Sequence, residues 1–372
     1  MGHRHSLLWD IPIASRGDPN GPHASKTRKE KNNIETKTNS NDMKRIPVTL
    51  LWASSLLLLL PAASCTDTLV GRPDTDDRTI TFQTPQADTR AAVTGTSLTS
   101  GSFLVWGWYD DGATNVFDAE TVTGDNGVWT YEGTRYWKAG ETYNFYAVYP
   151  VFPQSADGDG TKTTATVNSS GEITVTGFNC SATGDAAVDL MTASLPGVSA
   201  DEMIANRASV GLKFRHELCK VQVQVRTGQG VTATVRSASL YGMDIEGTLT
   251  RNAIGSSWTE LDNLTDADNP PFSVSSPVEL KASSTHDLFD ELLLIPQSCD
   301  NLELSITVQR EDEGEKTQTI PLNGSVTRWA AAQSYRYVLT IEADAITFSD
   351  FTVDEWGETH TGGDINIGTS DN

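Results

Sequence analysis

The sequence predicts an all-β fold, and three observations carry that expectation. Val, Thr, Ile, Tyr, Trp and Phe recur in short runs between clusters of Gly, Asp, Asn and Ser, as strands do between turns. Apolar residues rarely repeat at the i, i+3, i+4 spacing of an amphipathic helix. The turn signals are frequent enough that many short strands, packed as one β-sandwich per half, account for the chain. With 372 residues, 37% of them hydrophobic and 8% aromatic, there is material for two domains of ordinary size with packed cores.

The N-terminal part reads as three unrelated pieces. Residues 1–42 are polar, lack a hydrophobic period and include SKTRKEKNNIETKTNSND, which cannot bury enough surface to fold. Met43 opens a secretion signal over residues 43–64. Lys44 and Arg45 supply its positive start, Ile46 to Leu60 its apolar stretch, and Pro61 to Ser64 its small-residue end. Translation is therefore expected to begin at Met43, with 1–42 an upstream extension. The apolar stretch is about 15 residues, short of the roughly 20 that span a bilayer. Cys65 follows Ala62, Ala63 and Ser64 as in a bacterial lipobox, although Ala62 stands where leucine is usual. This predicts a lipidated Cys65 and a polar tether over 65–77.

The formal charge of −22 understates the acidity of what remains. Residues 1–64 hold nine Lys or Arg and five Asp or Glu, so without them the charge becomes −26. Such a surface repels phosphate backbones and argues against nucleic acid as a partner.

Thr79 to Thr84 alternates, with Ile80 and Phe82 on one face, and reads as a half-buried strand. After Pro85 comes QADTRAAVTGTSLTSG, a small-residue loop in which Arg90 is open to proteolysis. Phe103 to Tyr109 is apolar throughout, as in a central strand covered on both faces. Val128 to Tyr131 and Tyr143 to Tyr149 are strands separated by the Lys138 to Glu141 turn. Thr163 to Val167 and Ile173 to Val175 make a hairpin around Ser169-Ser170-Gly171. Pro196 and Gly197 mark a break, giving an N-terminal sandwich over 78–195, a linker over 196–207 and a C-terminal sandwich over 208–344. In VGLKFRHELCKVQVQVR, Leu212, Phe214, His216 and Leu218 share one parity and Val221, Val223 and Val225 the other, which predicts a β-bulge near Cys219 or Lys220. Further strands are expected at 232–241, 288–295, 302–309, 318–322, 334–342, 345–353 and 365–367.

No catalytic, cofactor-binding or metal site is predicted. GxSxG, HExxH and a phosphate-binding glycine loop are all missing from the sequence. Asp157-Gly158-Asp159-Gly160 lacks the closing glutamate of a calcium loop and reads as a turn. Besides Cys65, the cysteines Cys180, Cys219 and Cys299 are odd in number and match no zinc spacing, so at least one is a free thiol. His216 reads as a packed core histidine. Trp106, Trp108, Trp129, Tyr136 and Trp137 read as core, with a sugar-stacking platform as the competing possibility.

Several stretches in order resemble the fimbrillin family of pilus and fimbrial subunits: ITFQTPQADTRA, YWKAGETYNFYAVYP, DLM, LKFRHELCKVQVQV, LLLIPQ, RWAAAQSYRYVLTI and FTVDEW. Together they span most of residues 78–357. The resemblance implies two tandem transthyretin-like β-sandwiches after a lipoprotein signal, and a non-enzymatic subunit, stalk or tip, of a cell-surface fimbrium that supports adhesion. It implies a lipid anchor in the outer membrane before processing, an arginine-specific protease cutting at Arg90, and polymerisation with other pilus subunits by strand exchange. Arg72 and Arg78 are rival cutting sites that would leave the first strand attached. The displaced strand would carry Ile80 and Phe82. The donor would lie in 345–372, with Ile346, Phe348, Phe351, Val353, Ile365 and Ile367 as its apolar residues. A host glycan or protein is a further partner. The competing roles are a fimbrial anchor that keeps its lipid and a monomeric glycan-binding surface lipoprotein.

Overall fold

The structure, a computed structural model, describes residues 78–83, 85–87, 100–154, 163–261, 264–282, 284–311, 313–324 and 326–356. Cys65, Arg90, Ile365 and Ile367, the signal segment and the DGDG turn lie outside them.

In the first half the strands are β1 (Gln86–Ala87), β2 (Gly101–Tyr109), β3 (Thr114–Asp125), β4 (Val128–Thr130), β5 (Thr142–Tyr149), β6 (Thr164–Val167), β7 (Ile173–Asn179) and β8 (Met191–Ser199). Helix α1 (Ala200–Ala205) follows. Then come β9 (Lys213–His216), β10 (Cys219–Thr227), β11 (Ala233–Tyr241), β12 (Glu246–Arg251), β13 (Ser256–Thr259), β14 (Phe272–Val274) and β15 (Val278–Leu280). The chain continues through β16 (Thr285–Asp287), β17 (Leu292–Leu294), β18 (Glu303–Arg310), β19 (Glu315–Pro321), β20 (Gln333–Ile341) and β21 (Ile346–Glu355).

These strands form four sheets. A seven-stranded sheet runs β1-β9-β8-β5-β2-β3-β4, and a four-stranded sheet runs β13-β12-β7-β6. Two five-stranded sheets follow, β16-β10-β20-β21 with β17 on β10, and β14-β11-β18-β19 with β15 on β11. Strands β2 and β5 are the centre of the large sheet, and their alternation sends side chains to two cores. Phe103, Val105, Tyr143, Phe145 and Ala147 fill the first core, while Leu104, Trp106, Trp108, Tyr146 and Val148 join the second. The second core continues through Ile173, Val175 and Phe178 into the space between the five-stranded sheets.

Several expectations are corrected. The parity change before Val221 is a change of sheet, and no bulge is needed: β9 pairs with β8, whereas β10 pairs with β16, β17 and β20. Each strand then presents its apolar face to a different neighbour, which the sequence cannot tell from a bulge. The expected linker 196–207 holds the end of β8 and all of α1. Strand β8 passes Pro196 and Gly197 through a register shift against β5, with Gly197 at φ 75°. Helix α1 starts where the Ser199 hydroxyl accepts from the Glu202 N–H at 3.4 Å. Nor do 78–195 and 208–344 separate the sheets, because β12 pairs with β7 and β9 with β8. Of the expected strand 288–295 only Leu292–Leu294, β17, is strand, because Leu288–Asp290 bend the chain just after β16.

Among the described residues, Cys180, Cys219 and Cys299 are free and buried. Burial pushes the Cys180 and Cys299 thiols up to about 12 and the Cys219 thiol well above its usual value. His216 is 6% exposed, stacks on Trp356 at 4.2 Å, and places Nδ1 3.0 Å from the Asp189 carboxylate.

Candidate functional site

The first core is closed on one side by residues Arg78–Gln83. This segment is not a continuous strand, yet single β-bridges hold it on both sides. Thr79 pairs antiparallel with Tyr136, and Phe82 pairs antiparallel with Trp129 and parallel with Val210. Ile80 N–H donates to the Arg135 carbonyl at 2.8 Å, and Trp137 N–H donates to the Arg78 carbonyl at 2.7 Å. On the other side Val210 N–H donates to the Thr81 carbonyl at 2.7 Å, and Gln83 N–H to the Val210 carbonyl at 3.0 Å. The Thr81 and Ser209 hydroxyls lie 2.7 Å apart. The segment therefore bridges the β4 edge of the large sheet to the chain just ahead of β9.

Its side chains behave as the alternation predicts. Ile80 is fully buried and Phe82 is 5% exposed, while Thr81 and Gln83 face out. The Phe82 ring has edge contacts with Phe103, Phe117, Tyr131 and Phe145, at centroid distances of 5.6 to 6.2 Å. Without the segment, these rings and four backbone groups of Arg135, Trp137 and Val210 would face solvent.

Tyr131 and Arg135 shape the inner wall. The Tyr131 hydroxyl donates to the Ile80 carbonyl at 2.7 Å and accepts from Arg135 N–H at 3.2 Å, and burial pushes its pKa up. Arg135 does not stand out in the sequence, since EGTRYWKAG has no strand period, and Tyr131 reads only as the end of the strand expected over Val128 to Tyr131. Beside this wall, Asp118, Glu120, Glu132 and Tyr131 border an open acidic hollow. Glu120 there is paired with Arg135 at 2.5 Å. Among the described residues no group of His, Cys, Asp or Glu is arranged to hold a metal ion.

The other predicted residues fall elsewhere. Ile346, Phe348, Phe351 and Val353 lie on β21, which pairs along its whole length with β20 as the edge of a five-stranded sheet. The interrupted alternation at Ser349 and Asp350 is a register shift opposite Val338 and Leu339. Ile346 is buried, Phe351 packs 4.9 Å from Tyr337, and Val353 is 41% exposed. Of the aromatic residues considered for sugar stacking, Trp106, Trp108, Trp129 and Trp137 are buried and Tyr136 alone is open to solvent. They do not form a platform.

The model of the fimbrillin-like family matches residues 89–356. The chain belongs to the fimbrillin-like family. Its members are structural subunits of cell-surface fimbriae, not enzymes, and that assignment holds for this chain. Among solved structures, a fimbrial protein from Bacteroides vulgatus is similar at 16% identity and a TM-score of 0.49, covering 75% of this chain and 99% of its own. The tip fimbrial protein Mfa3 from Porphyromonas gingivalis, truncated at its C-terminus, is similar at 11% identity and a TM-score of 0.35, covering 69% and 94%. The fimbrial anchor protein Mfa2 from the same organism is similar at 13% identity and a TM-score of 0.32, covering 75% and 96%. No curated protein matches the chain.

Proposed function

We propose that this fimbrillin-like chain is a stalk or tip subunit, exported as a lipoprotein on Cys65, cut after Arg90, and joined to the next subunit by strand exchange. The observation that carries this reading is the plug formed by Arg78–Gln83. It is buried through Ile80 and Phe82, yet it is held by four backbone hydrogen bonds, the Tyr131 and Ser209 hydroxyls and isolated bridges in place of a continuous ladder. A cut after Arg90 leaves it attached to the body by non-covalent contacts alone.

Magnitudes favour replacement over an empty groove. Burying Ile80 and Phe82 is worth roughly 1.5–3 kcal/mol each, and each hydrogen bond about 1 kcal/mol net. A strand from a second subunit would recover both terms by β-augmentation. Because β21 is already paired within its own sheet, this reading takes the donor from the chain after Trp356, with Ile365 and Ile367. The outer membrane, an arginine-specific protease and neighbouring subunits are the partners this route requires, and a host glycan or protein is the target its adhesive role requires.

N-terminal sequencing of the surface form tests the route. Ala91 as first residue, with heat-resistant ladders on denaturing gels that vanish when 357–372 are deleted, is the expected result. A lipidated Cys65 at the N-terminus of the polymerised form would overturn it and leave a lipid-anchored subunit.

A further inference from the structure

The wall of the groove formed by Tyr131–Trp137 is irregular backbone, not strand. Such a loop offers a β-type donor and acceptor only when something outside its own backbone fixes its dihedrals. Here the Arg135 side chain does so. Its Nε donates to the Val116 carbonyl at 2.9 Å, and its two terminal nitrogens donate to the Glu132 carbonyl at 2.8 Å and to Glu120 Oε2 at 2.5 Å. The guanidinium also lies 4.9 Å from the Phe117 ring centre and 5.3 Å from that of Tyr131. All of these partners belong to the folded body, and none belongs to residues 78–83.

Resting on the strand-exchange reading, we infer that Arg135 is the positioning residue of a preformed docking rail for a strand from a second copy of this chain. The rail consists of the Arg135 carbonyl, the Trp137 N–H and the Tyr131 hydroxyl, which already hold Ile80 and Arg78. Because Arg135 is pinned to β3, the rail keeps its shape when the first segment leaves. An incoming strand is spared the entropic cost of ordering it.

The groove also dictates what that strand must be. It needs large apolar side chains where Ile80 and Phe82 sit, and a small polar one where Thr81 meets Ser209. It needs a free N–H at the places of Ile80 and Gln83, so proline is excluded at both. Ile365-Asn366-Ile367-Gly368 meets each requirement.

The test uses the full secreted chain cut by an arginine-specific protease under native conditions, with a fluorescent peptide of residues 357–372 as probe. Stopped-flow anisotropy gives its association rate, and a thermal scan of each uncut variant gives the midpoint. Arg135→Gln and Glu120→Gln are expected to slow association about fivefold or more, out of proportion to any fall in the midpoint of the uncut chain. Tyr131→Phe is expected to bind about fivefold more weakly, the equivalent of one net hydrogen bond. A purely architectural Arg135 would instead lower the midpoint and leave the association rate alone. If Arg135→Gln does not fold, Glu120→Gln and Tyr131→Phe decide. Parent-like binding by these variants overturns the rail and leaves strand exchange standing. Failure of the parent itself to take up the peptide overturns both.

Discussion

Phe82 gives the sharpest account of what the first segment contributes. Its side chain is 5% exposed and touches four aromatic rings, so Phe82→Ala removes a fully packed side chain and leaves a cavity among rigid neighbours. Such truncations cost about 3–5 kcal/mol. In a body of this size each kcal/mol moves the melting midpoint by about 2–4 °C, so the uncut chain should melt roughly 6–20 °C lower. On the proposed strand-exchange route the segment is discarded during assembly, so the same substitution should leave the stability of assembled fimbriae unchanged. Differential scanning calorimetry on the secreted precursor, and dissociation temperature on gels for the fimbriae, read the two arms. A precursor midpoint shifted by less than about 2 °C would refute the packing argument. Fimbriae weakened as much as the precursor would refute replacement of the strand.

Four further outcomes follow from the geometry. Gly242 has φ +85°, and a Cβ there would sit 1.7 Å from the Asn301 carbonyl oxygen, so Gly242→Ala should cost more than about 3 kcal/mol in urea unfolding. Trp356→Ala removes the stack on His216 and the Lys220 ammonium 4.9 Å above the ring; a loss of about 3–5 kcal/mol is expected, partly recovered by Trp356→Phe. The buried thiols should be inert to Ellman's reagent at pH 8 in the folded chain and all react in guanidinium. Because folding raises the Cys180 and Cys299 pKa from 9.0 to about 12, the folded chain holds those protons more tightly, and stability should be intact below pH 9 and fall as pH rises from 9 towards 12.

The large sheet's centre was legible because β2 is apolar on both faces, as in a doubly covered strand, and β5 alternates aromatic and small residues. Strand β3 was not, because its register shifts twice against β2, at Asp118–Ala119 with Ala119 at φ 48° and again at Val116, and this scrambles the alternation. The β12–β13 hairpin was missed for another reason: its strands carry few apolar residues, and they owe their place to β7, far away in sequence. At the site, Ile80 and Phe82 were readable from alternation. Arg135 was not, since one cation in a loop carries no period and its role depends on contacts with residues 116 and 120.

The ladder between β7 and β12 stitches the halves of the chain together in one sheet, and the second core runs unbroken beneath it. A fimbria on a cell surface is pulled from its far end, and tension passes through every link. Here the halves cannot part under that load until β12 shears from β7. Each subunit therefore yields as a single tough bead on the string rather than as two weak ones.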